Sequence, residues 1–434
     1  MIKGAPEAEI TRLPSGLRVV TQAMPSMRTA AAGVWTRAGA RDETREEHGL
    51  AHFLEHMTFK GTKRRSPQAI VEEMEAIGGD LNASTTVETT SYYVRLMGGD
   101  VPVALDIFAD ILTNSTFDAQ ELKREKSVVL QEIGASEDSP EDWAPDLFME
   151  QAFPGQPIGR PILGVRESLK TFDRAMLQAW LDRRYRAPVM VIAAAGDVEH
   201  ARIVDEAEKL FGGFSSARPT DPTRAIYRGG DVRKARRLEQ AHLMLGFEGP
   251  SYQGDAHYAA HAFAHVLGGA MSSRLFQEVR EKRGLAYAID AAHWAYSDCG
   301  VFCVSAGAGE EDVSDLIAVT LDEIARATHD LSQEELDRAR AQMRVSLMSG
   351  FESPSQRADQ IAHQLLAYDR LVGSDEILAK LDALTIESVR AAGARMLETA
   401  PTFTAIGPIR GAPRIDQIAA RVGAPVPPST PAAA

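Results

Sequence analysis

The run HFLEH at residues 52–56 combines two histidines with a glutamate, the residue types of a metal site with a catalytic base. On a helix each residue advances by about 100°, so His52, Glu55 and His56 fall within one arc of about 100°. The other positions of this segment are apolar, which predicts a helix that is buried on nearly all sides. Buried polar groups need partners, and a divalent metal ion would supply a common one.

The order H-x-x-E-H reverses the familiar H-E-x-x-H of zinc proteases. Two imidazoles one helical turn apart can both reach a zinc ion, and Glu55 beside them can take a proton from the attacking water. The alternative is a buried helix whose two histidines are satisfied by core partners and whose glutamate is there by chance. The buried flanks of the segment favour the metal site over this alternative.

A third ligand must come from elsewhere, because two histidines do not complete a zinc site. The segment AQELKREKSVVLQEIGASED has a helical pattern and offers four glutamates: Glu121, Glu125, Glu132 and Glu137. Glu125 and Glu132 fall within about 20° of each other around the helix. Glutamates at such spacing are also typical of a solvated helix face. Spacing alone does not choose between them.

Two further histidine patterns are weaker candidates for metal binding. His257, His261 and His265 recur every four residues in HYAAHAFAHVLGG, but no carboxylate accompanies them on that face of an Ala-rich segment. This pattern favours an ordinary core helix. His48 could reach the first site, but Gly49 is expected to begin the helix after it.

Alternating and periodic segments place these motifs in an α+β fold. EITRLPSGLRVVTQAM predicts a β-hairpin, and LNASTTVETTSYYVRLM predicts one long strand or a strand pair. PVMVIAAAGDV predicts a buried strand. Helical patterns cover four segments of the first half: 49–60, 66–78, 101–113 and 118–137.

The order of elements restarts in the second half of the chain. EQAHLMLGFEGPS is similar to AAAGVWTRAGARD, and HYAAHAFAHVLGG takes the place of the HFLEH helix. This repetition predicts a duplication, with two similar domains that each pack helices on a mostly antiparallel sheet. The expected organisation is a zinc-binding peptidase domain, a Pro-, Gly- and Arg-rich linker, a C-terminal domain and a disordered tail, at residues 1–215, 216–236, 237–421 and 422–434.

Composition restricts the class of protein. A net charge of −14 argues against nucleic acid as a partner and suits basic partners such as cationic peptides. No apolar run reaches the length of a membrane span. The first residues have no apolar core of a signal peptide, which favours a cytoplasmic protein. The two cysteines, Cys299 and Cys303, are expected to be free thiols in a reducing compartment.

Taken together, the motifs resemble the inverzincin metallopeptidases of the pitrilysin and mitochondrial processing peptidase family. The resemblance rests on HFLEHMTFKGT, the Glu-rich EKSVVLQEI, LPSGLRVV, GGDLNASTTVETTSYYV and LGGAMSSRLFQEVREKRGLAYAI. It covers residues from about 9 to 410 and is closest to the processing-peptidase-like subgroup of chains of about 50 kDa. It implies a zinc-dependent endopeptidase with the duplicated α+β fold.

The resemblance also implies roles for particular residues. The distal zinc ligand of the family falls on Glu132, and a second glutamate kept near the metal without direct ligation falls on Glu125. A substrate-binding pair that stabilises the tetrahedral oxyanion falls on Arg280 and Tyr287, where a fixed cation and a phenol suit that task. Read without the family, these two would be an ordinary helix arginine and an ordinary strand tyrosine.

Further positions concern the peptide substrate and the partner chain. Asn82 and Ala83 are expected to lie on a free strand edge that pairs with extended substrate, and Phe59 to line the pocket after the cleaved bond. Asp142 and Asp146 match acidic positions that receive an arginine, although Pro145 between them is expected to kink the helix. Family chains of this size pair, which implies a homodimer whose Arg280 and Tyr287 act in trans.

Two other functions fit the same fold. Some relatives of this kind are non-catalytic core or partner subunits, usually with eroded zinc residues, whereas His52, Glu55, His56 and Glu132 are intact here. The other alternative is a protein that holds peptides without cutting them.

Overall fold

The computed structural model describes residues 7–428. Strands in this part of the chain have the following bounds: β1 Glu9–Arg12, β2 Arg18–Ala23, β3 Thr29–Thr36, β4 Asp80–Thr85, β5 Thr90–Met97, β6 Met190–Gly196, β7 Gly230–Ala235, β8 Ala241–Gly249, β9 Ile289–Ala295, β10 Gly300–Ala308 and β11 Thr402–Gly407. The helices are α1 Leu50–Thr58, α2 Pro67–Ala76, α3 Val101–Thr113, α4 Ala119–Asp138, α5 Pro140–Ala152, α6 Arg166–Thr171, α7 Arg174–Arg184, α8 His200–Phe211, α9 His257–Gly268, α10 Val313–Asp330, α11 Gln333–Glu352, α12 Pro354–Tyr368, α13 Ser374–Asp382, α14 Ile386–Leu397 and α15 Ile415–Val422.

The described chain forms two compact units that are interleaved in sequence. The first holds the residues up to 134, 161–223 and 346–375, and the second holds 135–160, 224–345 and the residues from 376 onward. The contiguous boundaries expected from the sequence, 1–215 and 237–421, do not match these units. The physical reason is that α5 packs with β8 and β11, whereas α12 packs with β3 and β6, so each helix joins the sheet built by the other half of the sequence.

The two sheets share one topology. The first has the order β1-β2-β6-β3-β5-β4, and the second has the order β7-β11-β8-β10-β9. In each sheet one pair is parallel, β2 with β6 and β7 with β11, and the remaining pairs are antiparallel. The second sheet therefore repeats the first without its β1, which agrees with the α+β duplication that the order of elements predicts.

Most elements predicted for the first half are present. The four helical patterns correspond to α1, α2, α3 and α4, and the Thr-rich segment is the antiparallel pair of β4 and β5. Pro67 follows the N-cap Ser66, whose hydroxyl accepts from the backbone N–H of Ala69. A proline in the first turn leaves no unpaired donor there, which explains why the helix begins at this point.

The expected linker at 216–236 is wrong in its last part. Residues Gly230–Ala235 form β7, which lies at the edge of the second sheet and pairs with β11 only. Most of its residues are partly or fully exposed, so it lacks the apolar alternation of a half-buried strand. Edge strands are often polar, and this is why the pattern was indistinguishable from a linker. The tail expected from 422 includes residues 429–434, which lie outside the described residues.

The core of the first unit lies on both faces of its sheet. One cluster joins α1 and α3 to the sheet through residues such as Phe53, Leu54 and Phe108, all fully buried. A second cluster on the other face packs Ile361 and Ala362 of α12 against strand residues such as Trp35 and Val191. Both faces of the sheet are thus covered, and α1 packs against one of them.

Two smaller expectations concern the cysteines and membranes. Within residues 7–428, Cys299 and Cys303 are buried and form no disulfide, and burial raises the pKa of the Cys303 thiol far above its usual range. No helix within residues 7–428 combines the length and apolarity that crossing a lipid bilayer requires.

Candidate metal centre

The start of α1 is held by a buried carboxylate. Glu43 accepts the backbone N–H of Gly49 and of Ala51, each at 2.8 Å, which satisfies two of the donors left open at a helix N-terminus. Gly49 has φ of +92°, and a Cβ there would lie 2.7 Å from the Cα of Gly164. The turn before α1 therefore requires glycine, and α1 begins at Leu50.

The faces of α1 divide as the sequence predicts. Its buried residues are Leu50, Ala51, Phe53, Leu54, Met57 and Thr58. His52, Glu55 and His56 are partly exposed and share the remaining arc. The helix is thus anchored by its apolar sides and presents the three polar side chains together.

The two histidines of α1 converge with Glu132 of α4. The Oε2 atom of Glu132 lies 3.5 Å from Nε2 of His56 and 3.8 Å from Nε2 of His52. Among the described residues, these three form the group whose ligand atoms lie within 4.8 Å of one another as a metal site requires. Two imidazoles and one carboxylate, with room for a fourth ligand, are the donor set of a catalytic zinc site.

The protonation pattern of these side chains fits a cation at their centre. Nδ1 of His56 lies 3.1 Å from Oε2 of Glu125, and because a carboxylate only accepts, Nδ1 is the donor. The other ring nitrogen of His56, Nε2, then carries a lone pair and lies on the side of Glu132. The Oε2 atom of Glu132 is buried and has no hydrogen-bond partner among residues 7–428. Burial, and then the neighbouring His56, lowers the pKa of His52 to about 4, which keeps that ring neutral. Lone pairs facing one another in this way are stabilised by a bound divalent ion.

Glu125 supports the site from behind His56. Its side chain is almost fully buried, and its second oxygen pairs with Nζ of Lys60 at 2.9 Å. A carboxylate that accepts the outer N–H of a metal-binding histidine fixes the ring and its tautomer. The structure thus gives Glu125 an orienting contact with His56, next to the ligand set of His52, His56 and Glu132.

We expect Glu125→Gln to weaken metal binding without abolishing it. The amide can turn its oxygen toward His56, but it loses the charge that pairs with Lys60, and loss of such an outer partner costs about 10- to 100-fold in metal affinity. Competition with a fluorescent zinc chelator measures this. Glu121→Gln is the matched control, one turn earlier on α4 and paired with Arg124 on the surface. Equal affinity of both variants would contradict the role of Glu125.

Glu55 is held in place by the edge strand of the sheet. The hydroxyl of Thr85 in β4 donates to Oε2 of Glu55 at 2.5 Å. Burial raises the pKa of Glu55, and the hydrogen bond from Thr85, the next largest influence, lowers it. The net upward direction makes the carboxylate a better proton acceptor at neutral pH than an exposed glutamate.

Removing the Thr85 hydroxyl should move the pH profile in a defined direction. A base must be ionised to act, so activity is present above the pKa of Glu55 and lost below it. Thr85→Val removes a contact that favours the ionised form, which raises this pKa further and shifts the acid limb of kcat/KM toward higher pH. Thr85→Ser keeps the hydroxyl and should leave the limb in place. An unshifted limb in Thr85→Val would exclude this role.

A cavity of about 410 Å³ adjoins the site. Glu55, His56 and Phe59 line one side of it, and residues 79–83 from the start of β4 line the other. Within residues 7–428, β4 pairs with β5 only and forms the edge of the sheet. On β4 the backbone N–H of Ala83 donates to Oδ1 of Asn82 at 2.8 Å. Phe59, Asn82 and Ala83 therefore lie together beside Glu55, on the elements where the sequence expected them.

The remaining predicted substrate residues lie in the second unit. Asp142 and Asp146 are on α5, which continues through Pro145. Asp142 is exposed and Asp146 is mostly covered. Burial, followed by Glu150 and Asp142, raises the pKa of Asp146 to about 6.

Arg280 and Tyr287 lie close together in the second unit. The guanidinium of Arg280 lies 4.7 Å from the ring centre of Tyr287 and 4.6 Å from that of Phe276, within a π-helical turn at Phe276–Glu281. Tyr287 is 77% exposed, which is unusual for a large aromatic side chain. The pair presents a cation and a phenol to the surface.

One candidate metal ligand from the sequence contacts a different group, and three residues that support the site were not predicted. His48 is buried and its Nε2 lies 2.9 Å from the carbonyl of Pro161, which does not favour it as a ligand. The contributors that spacing did not indicate are Lys60, Thr85 and Glu43. All three act through contacts distant in sequence or at a helix start. Lys60 lies four residues after His56, but nothing in the sequence indicates that it pairs with Glu125.

Comparisons with known proteins agree with this geometry. A family model described as Insulinase (Peptidase family M16) matches residues 18–166, and one described as Peptidase M16 inactive domain matches residues 171–343. An uncharacterised zinc protease of Streptomyces coelicolor is 36% identical over 92% of this chain and 89% of its own length. Another from Bacillus subtilis is 36% identical over 86% of this chain and 92% of its own length.

Solved structures share the fold. A protease from Helicobacter pylori matches with a TM-score of 0.84 at 21% identity, over 92% of this chain and 99% of that one. A chain of Complex III2 from Candida albicans matches with a TM-score of 0.85 at 20% identity, over 96% and 99%. The chain belongs to peptidase family M16, and its first unit carries the donor set of a zinc peptidase.

Proposed function

We propose that this protein is a zinc-dependent endopeptidase that cleaves extended, preferentially basic peptide segments. The observation that carries the proposal is the convergence of His52, His56 and Glu132 on one point, with Glu55 held beside them by Thr85. Zinc is the metal that fits two imidazoles and a carboxylate, and relatives named zinc proteases support it. When bound, zinc polarises the scissile carbonyl and acidifies the attacking water.

Residues of the chain are proposed to carry out proton transfer, orientation of the site and substrate binding. Glu55 accepts a proton from the attacking water and returns it to the departing amine, as a general base and then a general acid. Thr85 holds the carboxylate of Glu55, and Glu125 holds the ring of His56. The free edge of β4 at Asn82 and Ala83 pairs with extended substrate by main-chain hydrogen bonds.

Specificity is proposed to arise from two places. Phe59, Met74 and Leu81 are among the residues that line the cavity beside Glu55, and they suit an apolar side chain just after the cleaved bond. Asp142 and Asp146 are candidates for receiving an arginine before the cut. Mass-spectrometric mapping of cuts in a peptide library, with and without chelator, tests both. An arginine two residues before the cut supports the second assignment, and an even spread of sites opposes it.

The proposal includes a homodimer in which Arg280 and Tyr287 of one chain bind substrate at the zinc of the other. Support comes from the exposure of Tyr287 and from its stacking on Arg280. A phenol and a guanidinium can donate to the developing oxyanion of the tetrahedral intermediate.

Mixing two inactive variants tests this arrangement. After subunit exchange between Glu55→Gln and Tyr287→Phe proteins, random pairing makes half of the dimers mixed, and one of the two sites in each mixed dimer is intact. We expect activity to recover to about a quarter of wild type. Glu55→Gln exchanged with itself is the control. No recovery after verified exchange would place both groups within one chain.

The non-catalytic alternatives are separated by zinc content and by Glu55→Gln. A core or partner subunit would bind no stoichiometric zinc and cleave no basic peptide. A peptide-holding protein would keep its function in Glu55→Gln, whereas a peptidase loses it.

A further inference from the structure

The second unit contains a histidine cluster that has no part in the proposed peptidase chemistry. His257 begins α9, His261 follows one turn later, and His293 comes from the neighbouring strand β9. The ring centres of His257 and His293 lie 5.5 Å apart. His265, the third member of the sequence pattern, instead places its Nε2 2.6 Å from Oε1 of Gln342. In the structure, His293 therefore lies beside His257, whereas His265 of the sequence pattern contacts Gln342 instead.

His293 is held in the orientation of a metal ligand. Its Nε2 lies 2.9 Å from the carbonyl of Pro250, and a carbonyl only accepts, so the proton is on Nε2 and the lone pair is on Nδ1. That Nδ1 atom is buried and has no hydrogen-bond partner in the described structure. Metal-binding histidines commonly donate their other N–H to a backbone carbonyl in this way.

Glycines make room for the His293 ring. A Cβ on Gly249 would lie 2.8 Å from the ring, and a Cβ on Gly300 would lie 2.3 Å from the Pro250 carbonyl that the ring contacts. These two glycines face each other on adjacent strands. The ring is therefore seated in a cleft between them and cannot easily turn to satisfy its Nδ1 elsewhere.

His257, like His293, has a buried ring nitrogen without a partner in the described structure. Its Nδ1 atom is also buried without a hydrogen-bond partner in the described structure. Burial, then His261 and Lys380, lowers the pKa of His257 to about 4, so its ring is neutral at pH 7. Two neighbouring neutral rings with unpartnered nitrogens are costly to bury unless something binds both.

We propose that His257, His293 and His261 bind a second divalent ion of the zinc class, which joins the start of α9 to β9. Imidazole nitrogens are suitable ligands for zinc, copper, nickel and cobalt(II). The three side chains do not together meet the spacing that His52, His56 and Glu132 satisfy, so binding requires the exposed His261 to turn toward the other two. Water completes the coordination.

A nearby lysine provides an internal test of this site. Lys380 lies over the ring of Tyr258, pairs with Glu376 at 3.2 Å, and its positive charge contributes to the lowered pKa of His257. The charge that disfavours a proton on His257 also disfavours a bound cation. Lys380→Met should therefore strengthen metal binding by about threefold or more.

The experiment uses the full chain with the first site removed by His52→Gln and His56→Gln. After chelation and dialysis, this background protein is titrated with Co²⁺, followed by visible absorption, and with Zn²⁺ against a competing fluorescent chelator. We expect uptake of one ion per chain. Adding His257→Gln or His293→Gln should remove it, and adding His265→Gln, the matched control on the same helix, should not.

Several outcomes would overturn the second site. One is no stoichiometric uptake by the background protein, as expected if the two nitrogens bind only water. Another is uptake that is unchanged by His257→Gln. If His293→Gln fails to fold, the partly exposed His257 and Lys380 still decide the matter, since an unchanged affinity in Lys380→Met also contradicts the site. None of these readouts depends on peptidase activity.

Discussion

Glu55→Gln is expected to lower kcat by about 10³- to 10⁴-fold while the protein still binds zinc. Glutamine has the shape of glutamate, and its side-chain oxygen can still accept the hydrogen bond from the hydroxyl of Thr85. The geometry around α1 is therefore preserved. It cannot accept a proton from water at neutral pH. Burial raises the pKa of Glu55, which suits the role of proton acceptor proposed for it.

The measurement pairs peptide cleavage with metal analysis and thermal unfolding. Glu72→Gln, an exposed carboxylate on α2 that accepts from Gln68, is the control and should retain full activity. Zinc content and unfolding temperature should match wild type in both variants. Retained cleavage in a zinc-loaded Glu55→Gln protein would remove Glu55 as the base, and a protein that has lost its zinc would assign the defect to metal binding instead.

Glu132→Gln is expected to remove the metal itself. The amide keeps one oxygen in place but loses the negative charge that compensates the cation between His52 and His56. We expect zinc affinity to fall by about 100-fold or more, and activity without added zinc to fall with it. Glu121→Gln on the same helix serves as the control.

Thermal unfolding gives an independent readout of the same change. A ligand present at about 100 times its dissociation constant stabilises the folded state by about 2.7 kcal/mol. Chelation should therefore lower the unfolding temperature of the wild-type protein and leave that of Glu132→Gln nearly unchanged. Stoichiometric, tightly held zinc in Glu132→Gln would contradict the assignment of this ligand. The two variants together separate loss of the base from loss of the metal.

The elements around the site follow largely from local sequence. Apolar periodicity predicts α1 and α4, and the position of His52, Glu55 and His56 on one arc of α1 is a consequence of helix geometry. The repeated order of elements predicts the duplication, which the common strand order of the two sheets confirms. These features depend on neighbours within a few residues or on the order of segments, and both can be read directly from the chain.

The choice of metal ligand required more than spacing. Glu125 and Glu132 are equivalent by helix angle, and only resemblance to a family separated them. In the structure Glu125 is buried against His56 and Lys60, whereas the Oε2 atom of Glu132 faces both imidazoles. That distinction depends on which side chains of α4 reach the histidines of α1, and contacts between residues distant in sequence determine it.

Contacts distant in sequence also decided the features that the sequence did not indicate. α5 and α12 each join the sheet formed by the other half of the chain, and β7 completes a sheet edge without an apolar pattern. His293 approaches His257 because β9 lies beside α9, although the sequence pattern pointed to His265. The sequence by itself determined most of the helices and strands and which residues share a face of α1. The tertiary structure alone decided which faces meet, because their packing depends on burial summed over residues far apart in the chain.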